Sequence, residues 1–379
     1  MTNIRSTPVT ERPLHIFVIG LRAFPNVPGG VETHAENLYP LIAQKGHLVT
    51  VSTRSPYHQV DEWSRVRFIR TWSPKSKFLE VVLHSILSVI KAAVLRPDVV
   101  HIHAVGPSLV APLARIAGLR VVVTHHGPDY DREKWNWLAK LVLRIGEWCG
   151  MRFANKRIVI STVIADAMRD RYGTSSVRIP NGVRIPPLEY DSSLLSEYGL
   201  KPGAYVLMVS RFVPEKRHLD LIDAFEVADI PGIKLVLVGD ADHPDDYERE
   251  LKARAAKSSS VILTGFITGD TLSSVYQHAA LFVLPSSHEG LPISLLEAAS
   301  FGLPCIASGI PANRSVGLDE SCYFPLGDID ALSAKIIEHL QQPLTADRRD
   351  NIRHWVSERY DWTDIAERTV DTLRTAVND

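Results

Sequence analysis

Apolar runs of strand length alternate with longer segments of helical periodicity along almost the whole chain. Residues 15–20, 47–52, 99–103 and 120–124 read as strands in the first half, and 31–44 and 109–117 carry apolar side chains at helical spacing between them. A second series, 205–210, 234–239, 260–264, 280–285 and 304–307, follows Pro186, again with helical patterns in between. Apolar strands separated by helices predict parallel sheets covered on both faces, the α/β doubly wound class. Two such series predict two Rossmann-like parallel-sheet domains facing a central cleft, with ligands at the strand ends. The proline-containing stretch 180–187 is the natural linker. The expected boundaries are a flexible amino-terminal tail at 1–13, a first domain at 14–185 and a second at 186–360. In the tail at 361–379, Trp362, Ile365, Ala366, Val370 and Leu373 have the spacing of one last helix.

Length and composition agree with this picture, and charge adds to it. The 379 residues suffice for two domains, each with its own core. The net charge of −1 hides an asymmetry: up to Pro186 there are 25 Lys and Arg against 13 Asp and Glu, and after it 17 against 30. A basic first half is expected to meet an anionic partner, either a phosphate-bearing acceptor or a membrane surface. No nucleic acid is expected, because no zinc spacing, basic run or RNA-binding signature accompanies the charge.

Cys149, Cys305 and Cys322 are too scattered for a disulfide framework or a metal pair, which implies a reducing compartment. Residues 1–13 mix charges of both signs with no long apolar core after them, so no signal peptide is expected. The apolar stretch 78–95 is interrupted by Glu80, His84 and Lys91 and reads as no spanning helix. A cytoplasmic protein follows. Residues 132–157 interleave Arg132, Lys134, Lys140, Arg144, Arg152, Lys156 and Arg157 with Trp135, Trp137 and Trp148, and Lys75 and Lys77 precede the apolar 78–95 run. Basic and indole side chains along a helix suit an anionic membrane interface, and core tryptophans beside solvated cations are the competing reading.

The densest chemistry lies in Glu289-Gly290-Leu291-Pro292-Ile293-Ser294-Leu295-Leu296-Glu297, which follows a strand-like run and opens a helix. Pro292 suits the first helical turn, and Gly302 the residue just past the end. A helix start offers free N–H groups and a positive dipole end to a phosphate, while the two glutamates can bind hydroxyls. Phosphate beside hydroxyls describes a sugar nucleotide, although two glutamates at this spacing also flank ordinary helix caps. Arg211 and Lys216 leave strand 205–210, a place suited to positive charge on a diphosphate. In Gly20 to Glu32, Gly29 and Gly30 permit close backbone approach, but the pattern is not Gly-x-Gly-x-x-Gly, which disfavours NAD. Thr124-His125-His126-Gly127-Pro128-Asp129 ends a strand with an imidazole whose neutral and charged forms are both accessible near pH 7. A metal on His101, His103 and His125 is disfavoured by the lack of a carboxylate partner, and Asp240-Ala241-Asp242 reads as a loop and not as a metal motif.

These segments, in this order, resemble the retaining glycosyltransferases of the GT4 family, which have the GT-B fold, and the resemblance runs from about Leu14 to Arg374. Within it the chain is most similar to members that build bacterial surface polysaccharides. The resemblance implies transfer of a sugar from a UDP-, GDP- or dTDP-linked donor to a glycan or lipid-linked glycan acceptor. No metal and no cofactor besides the donor substrate is implied. It gives His126, Arg211, Lys216 and Glu289 catalytic roles, with Arg211 and Lys216 on the leaving diphosphate and Glu289 and His126 at the donor sugar. Gly29, Gly30, Gly265, Phe266, Gly290, Leu291, Pro292 and Ile293 would line the donor, with the Leu291 to Ile293 backbone on the diphosphate and Glu297 on the ribose. Asp129 and Glu32 would touch the acceptor. The last helix is expected to cross back to the first domain, and the basic half to rest on the inner face of the cytoplasmic membrane. A catalytically silent sugar-nucleotide-binding scaffold on the same fold is the alternative.

Overall fold

The two series of strands form two separate sheets in the computed structural model, which describes residues 12–74, 79–128, 130, 136–241 and 245–379. The tail 1–11, together with Lys75, Lys77, Asp129, Arg132, Lys134, Trp135 and Asp242, lies outside the described residues. In chain order the first sheet holds β1 (His15–Ile19), β2 (Leu48–Arg54), β3 (Glu62–Trp63), β4 (Val66–Thr71), β5 (Val99–His103), β6 (Val121–His125), β7 (Lys156–Val159) and β8 (Val177–Arg178). The second holds β9 (Tyr205–Val209), β10 (Lys234–Val238), β11 (Val261–Gly265), β12 (Leu281–Leu284), β13 (Cys305–Ser308) and β14 (Tyr323–Phe324). Spatial orders are β3-β4-β2-β1-β5-β6-β7-β8 and β11-β10-β9-β12-β13-β14, and among the described pairs only β3 runs antiparallel to its neighbour. Strand order reverses beside β1 in one sheet and beside β9 in the other. A crevice therefore opens past the carboxyl ends of β1 and β5, and of β9 and β12.

Helices cover both sheets on both faces. The first set is α1 (Gly30–Gln44), α2 (Leu79–Leu95), α3 (Ala111–Ile116), α4 (Trp137–Phe153) and α5 (Thr162–Tyr172). The second is α6 (His218–Ala228), α7 (Asp246–Ala255), α8 (Gly269–Gln277), α9 (Ile293–Ser300), α10 (Pro311–Arg314), α11 (Ile329–Leu340) and α12 (Ala346–Tyr360), and α13 (Trp362–Asn378) ends the chain. Alternation along each strand sorts the core into layers. Phe17, Val100, Ile102 and Val123 join Val89 of α2, Ala111 of α3 and Met151 of α4. Ile16, Val18, Val99 and Val122, one position out of phase, pack against Leu38 and Ile42 of α1.

That second layer is completed from the far end of the chain. Ile365, Val370 and Leu373 of α13 lie in the same cluster as α1, so the last helix packs on the first sheet. Chain passes between the domains twice, side by side: the Val183 N–H donates to the Tyr360 carbonyl at 2.8 Å, and Val183 bridges Asp361. Gly182 is required there, because a Cβ on it would sit 2.6 Å from the Trp362 ring.

Several elements differ from the sequence expectation. The 109–117 segment is a 3-10 turn, Pro107–Val110, followed by the short α3. The β4 strand was not anticipated, because Arg67 and Arg70 break its apolar run at positions where the strand faces outward. The β7 strand, whose first two residues are Lys156 and Arg157, is hidden in the same way.

Candidate active site

Two loops of the second domain converge where β9 and β12 end. After β9 the chain passes Arg211, partly buried, and makes a 3-10 turn, Pro214–Lys216. After β12 it runs through Ser286 to Glu289. The Ser287 N–H donates to the Glu215 carbonyl at 2.8 Å, which fastens one loop to the other. Lys216 Nζ then meets Glu289 Oε1 at 2.5 Å, with side chains only 16% and 10% exposed.

Glu289 stands four residues ahead of α9. The expected diphosphate amides were those of Leu291 to Ile293, but Pro292 has no N–H and is the residue before the helix, while α9 begins at Ile293. Its first-turn amides are therefore those of Ile293, Ser294 and Leu295, and no side chain caps them. Gly290 and Leu291 bring this loop up against the first domain. A Cβ on Gly290 would lie 2.0 Å from the His126 carbonyl oxygen, and one on Gly127 3.3 Å from the Gly290 Cα. Asn181, in the linker, donates from Nδ2 to the Leu291 carbonyl at 2.9 Å and so accepts at Oδ1 from His34 Nδ1, also 2.9 Å away.

His126 sits where β6 ends, among other imidazoles. Its Nε2 bonds His103 Nδ1 at 2.9 Å, and His34 packs edge-on against its ring with centroids 4.9 Å apart. The charged form expected to be accessible near neutrality is disfavoured. Burial, followed by the neighbouring His34, His125 and His101, holds His126 well below the usual histidine range. Burial likewise brings His34 down to about 4 and His101 to about 3. His125 faces away from this group. The Gly127 N–H donates to its Nδ1 at 3.1 Å, so its proton is on Nε2, donated to Glu147 Oε1 at 2.8 Å. Among the described residues one set of potential metal ligands converges: His34, His103 and His126, with nitrogens within 4.8 Å of one another.

Other expected residues lie around this centre. Gly29 ends the glycine loop at φ +147°, and a Cβ there would meet Glu32 Oε2 at 2.2 Å, whereas nothing lies within 4 Å of the Cβ position on Gly30. Glu32, expected at the acceptor, is buried, and its Oε1 accepts from the Arg22 backbone N–H and Nε at 3.2 and 3.1 Å. Burial alone would raise the Glu32 carboxyl, but Arg22 outweighs it and the net shift is downward. In this structure Glu32 braces the loop. Gly265 ends β11 at φ +74°, followed by the half-exposed Phe266. Glu297 accepts from the Tyr276 hydroxyl at 3.0 Å and, with Ile293, Arg184 and Trp362, lines a cavity of about 230 Å³. Burial pushes its carboxyl up to about 7.

Glu147, which the sequence analysis passed over, anchors the His126 loop from below. It is fully buried in α4 and accepts from His125, Tyr130 at 3.0 Å, Arg171 at 2.8 Å and Tyr172 at 2.6 Å. A lone carboxylate on the apolar side of a basic helix was the available signal.

Two facing parallel-sheet domains, with cations and an uncapped helix start at the crevice, define a protein built to hold an anionic ligand between them. Comparison with known proteins supplies the family. Residues 28–185 match the model described as Glycosyltransferase Family 4, and 197–355 match Glycosyl transferases group 1. The chain belongs to this family of glycosyltransferases and carries both of its halves. It is 31% identical over 258 residues to UDP-Gal:alpha-D-GlcNAc-diphosphoundecaprenol alpha-1,3-galactosyltransferase of Escherichia coli, covering 62% of this chain and 64% of that protein. It is 24% identical to the phosphatidyl-myo-inositol mannosyltransferase of Mycolicibacterium smegmatis, over 92% and 91% of the two chains. Two further curated relatives are matched over only 40% and 54% of their length. The Anabaena protein HepE, solved with UDP-glucose, superposes with a TM-score of 0.79 at 20% identity over 96% of this chain and all of that one, which shows the shared GT-B fold.

Burial would raise the Glu147 carboxyl, but the bonds from His125 and Tyr172 outweigh it and bring it down to about 2, below its ordinary 4.5. A depressed carboxylate contributes stability that is complete above its unfolded value and is lost as pH falls toward the folded one. Glu147→Gln is expected to lose about 3 kcal/mol in urea unfolding at pH 7. The gap from wild type should narrow as pH falls below about 4.5. A gap that is constant between pH 7 and 3.5 would contradict the network.

Proposed function

We propose that the chain is a retaining, metal-independent glycosyltransferase that moves a sugar from a nucleoside diphosphate to an acceptor hydroxyl on a lipid-linked or growing surface-polysaccharide glycan. The observation that carries this reading is the Lys216–Glu289 pair at the head of the uncapped α9, directly across the Gly127/Gly290 contact from His126. A diphosphate competes with Glu289 for Lys216 and takes the α9 amides, with Arg211 at the neighbouring strand end. Glu289 is then released to accept from donor-sugar hydroxyls, and Glu297 from the ribose. Family membership and the UDP-glucose bound to HepE support the same kind of donor, and the names of the curated relatives support a lipid-linked acceptor.

In the reaction the acceptor oxygen forms its bond to the anomeric carbon on the face from which the diphosphate leaves. The carbon–oxygen bond to the phosphate breaks, and the hydroxyl proton passes to the departing phosphate oxygen. Lys216, Arg211 and the amides stabilise the charge that grows on that oxygen. His126, held neutral, contributes a hydrogen bond and not a base. The close approach of the two domains limits water and hence donor hydrolysis.

The first domain carries a surface suited to the anionic inner leaflet. Along α4, Trp137 (76% exposed), Leu138, Leu141, Ile145 and Trp148 face outward together with Arg144 and Arg152. Leu79, Ile90 and Val94 of α2 are also exposed. Among the described residues no helix is long and apolar enough to cross a membrane. Apolar and basic side chains on one helix face bind an anionic interface without spanning it.

Lys216→Ala is expected to lower kcat about 10²–10³-fold while the protein stays folded. Wild-type turnover should survive EDTA, and proton NMR should show the donor's anomeric configuration in the product. Full activity in Lys216→Ala, inversion, or activity abolished by EDTA would each contradict the reading. Wild-type protein should float with phosphatidylglycerol vesicles, and Trp137→Ser combined with Leu141→Ser should reduce the bound fraction. Failure of the wild type to float would overturn the membrane surface alone.

A further inference from the structure

Beneath the cleft a chain of hydrogen bonds runs from a hydroxyl in β6 to the His126 ring. Thr124 Oγ1 lies 2.7 Å from His101 Nε2, and His101 Nδ1 lies 2.9 Å from the Tyr39 hydroxyl. That hydroxyl bonds His103 Nε2, whose other nitrogen, Nδ1, lies 2.9 Å from His126 Nε2. Thr124, His101, Tyr39 and His103 are all buried. Both nitrogens of His101 and of His103 are used, so the donor at one end sets every proton between. His126 Nδ1 has no hydrogen-bond partner among the described residues.

Two directions are available. In the first, Thr124 donates to His101 Nε2, His101 Nδ1 to Tyr39, Tyr39 to His103 Nε2, and His103 Nδ1 to His126 Nε2. The proton of His126 is then on Nδ1. In the second, every bond reverses, His126 donates inward from Nε2, and Thr124 becomes an acceptor. The Thr124 hydroxyl has no other partner among the described residues, so the second direction leaves a fully buried O–H unmet, whereas the first leaves its unpaired N–H on His126, which is only partly buried. The cost of an unmet buried donor selects the first.

We propose that Thr124, His101, Tyr39 and His103 are positioning residues that fix His126 as the Nδ1–H tautomer, a hydrogen-bond donor toward an oxygen of the bound sugar nucleotide. The direction follows from where the chain ends and not from any one contact. His34 supplies the second restraint, since its Nδ1–H is committed to Asn181 and its ring lies edge-on against His126. A ring fixed in both orientation and proton position presents one polarity to substrate without rearranging as the reaction proceeds. The tautomer stands on the geometry alone, and its consequence for turnover rests on the glycosyl-transfer reading above.

Long-range proton–nitrogen NMR of the full chain labelled with ¹⁵N-histidine reads the tautomer directly. Wild-type His126 should show a protonated Nδ1 and a bare Nε2, unchanged between about pH 5.5 and 8. Thr124→Val keeps the shape of the side chain but removes the terminal donor, and Tyr39→Phe removes the middle link. In each, the two His126 nitrogen shifts should move toward an averaged pair. With a sugar nucleotide that wild type turns over, kcat should fall about tenfold while donor KM stays within about threefold. If Tyr39→Phe does not fold, Thr124→Val carries the test. His126 protonated at Nε2 in wild type, or unchanged shifts in the folded variants, would overturn the proposal. So would stoichiometric Zn²⁺ binding that shifts His34, His103 and His126 together, because ligation removes the His103 Nδ1 proton. Absence of turnover with any sugar nucleotide would count against the functional reading and leave the NMR result standing.

Discussion

Gly290 and His126 meet backbone to backbone, and the geometry of the cleft depends on that contact. A single Cβ on Gly290 would come within 2.0 Å of the His126 carbonyl oxygen, so the domains reach this separation only because the residue after Glu289 has no side chain. Asn181 fixes the same approach from the linker, bonding Leu291 in one domain and His34 in the other. These contacts bring the start of α9 and the Lys216–Glu289 pair to face the imidazole group of the first domain. Without them the two walls of the cleft would not face one another at this separation.

The two halves of the cleft have opposite electrostatic characters. On the second-domain side, charge is kept: Lys216 is paired with Glu289, and the free amides of α9 add a positive dipole end. On the first-domain side, charge is suppressed, because burial holds His34, His101, His103 and His126 neutral. An anion is therefore drawn to one wall, while the other offers uncharged hydrogen-bonding groups to hydroxyls. Glu147 belongs to neither wall. It spends its charge on His125 and three further donors, which keeps the strand end under His126 in place.

The central strands were legible because buried parallel strands read as continuous apolar runs, as in residues 205–209 and 281–284. Strands toward the edges of the first sheet were not, since Val66–Thr71 and Lys156–Val159 carry cations on their less buried positions. The Glu289 to Glu297 stretch was legible for another reason: strand end, turn, helix start and both carboxylates lie within one short segment. Pro292, expected in the first helical turn, stands just before it, so the free amides of that turn are those of Ile293, Ser294 and Leu295. His34, Tyr39 and Glu147, and the role of Asn181 within the linker, were invisible because their meaning lies in distant partners. Asn181 bonds residues 110 and 147 positions away, and Tyr39 one 62 positions away.

The most direct test of the account is a crystal structure with UDP-glucose, or with whichever sugar nucleotide stabilises the protein in EDTA. The diphosphate is expected between Lys216 and the Ile293 to Leu295 amides, with the sugar between Glu289 and His126 and no metal ion on the phosphates. A diphosphate bound away from α9, or bridged to the protein by a metal held on His34, His103 and His126, would contradict it.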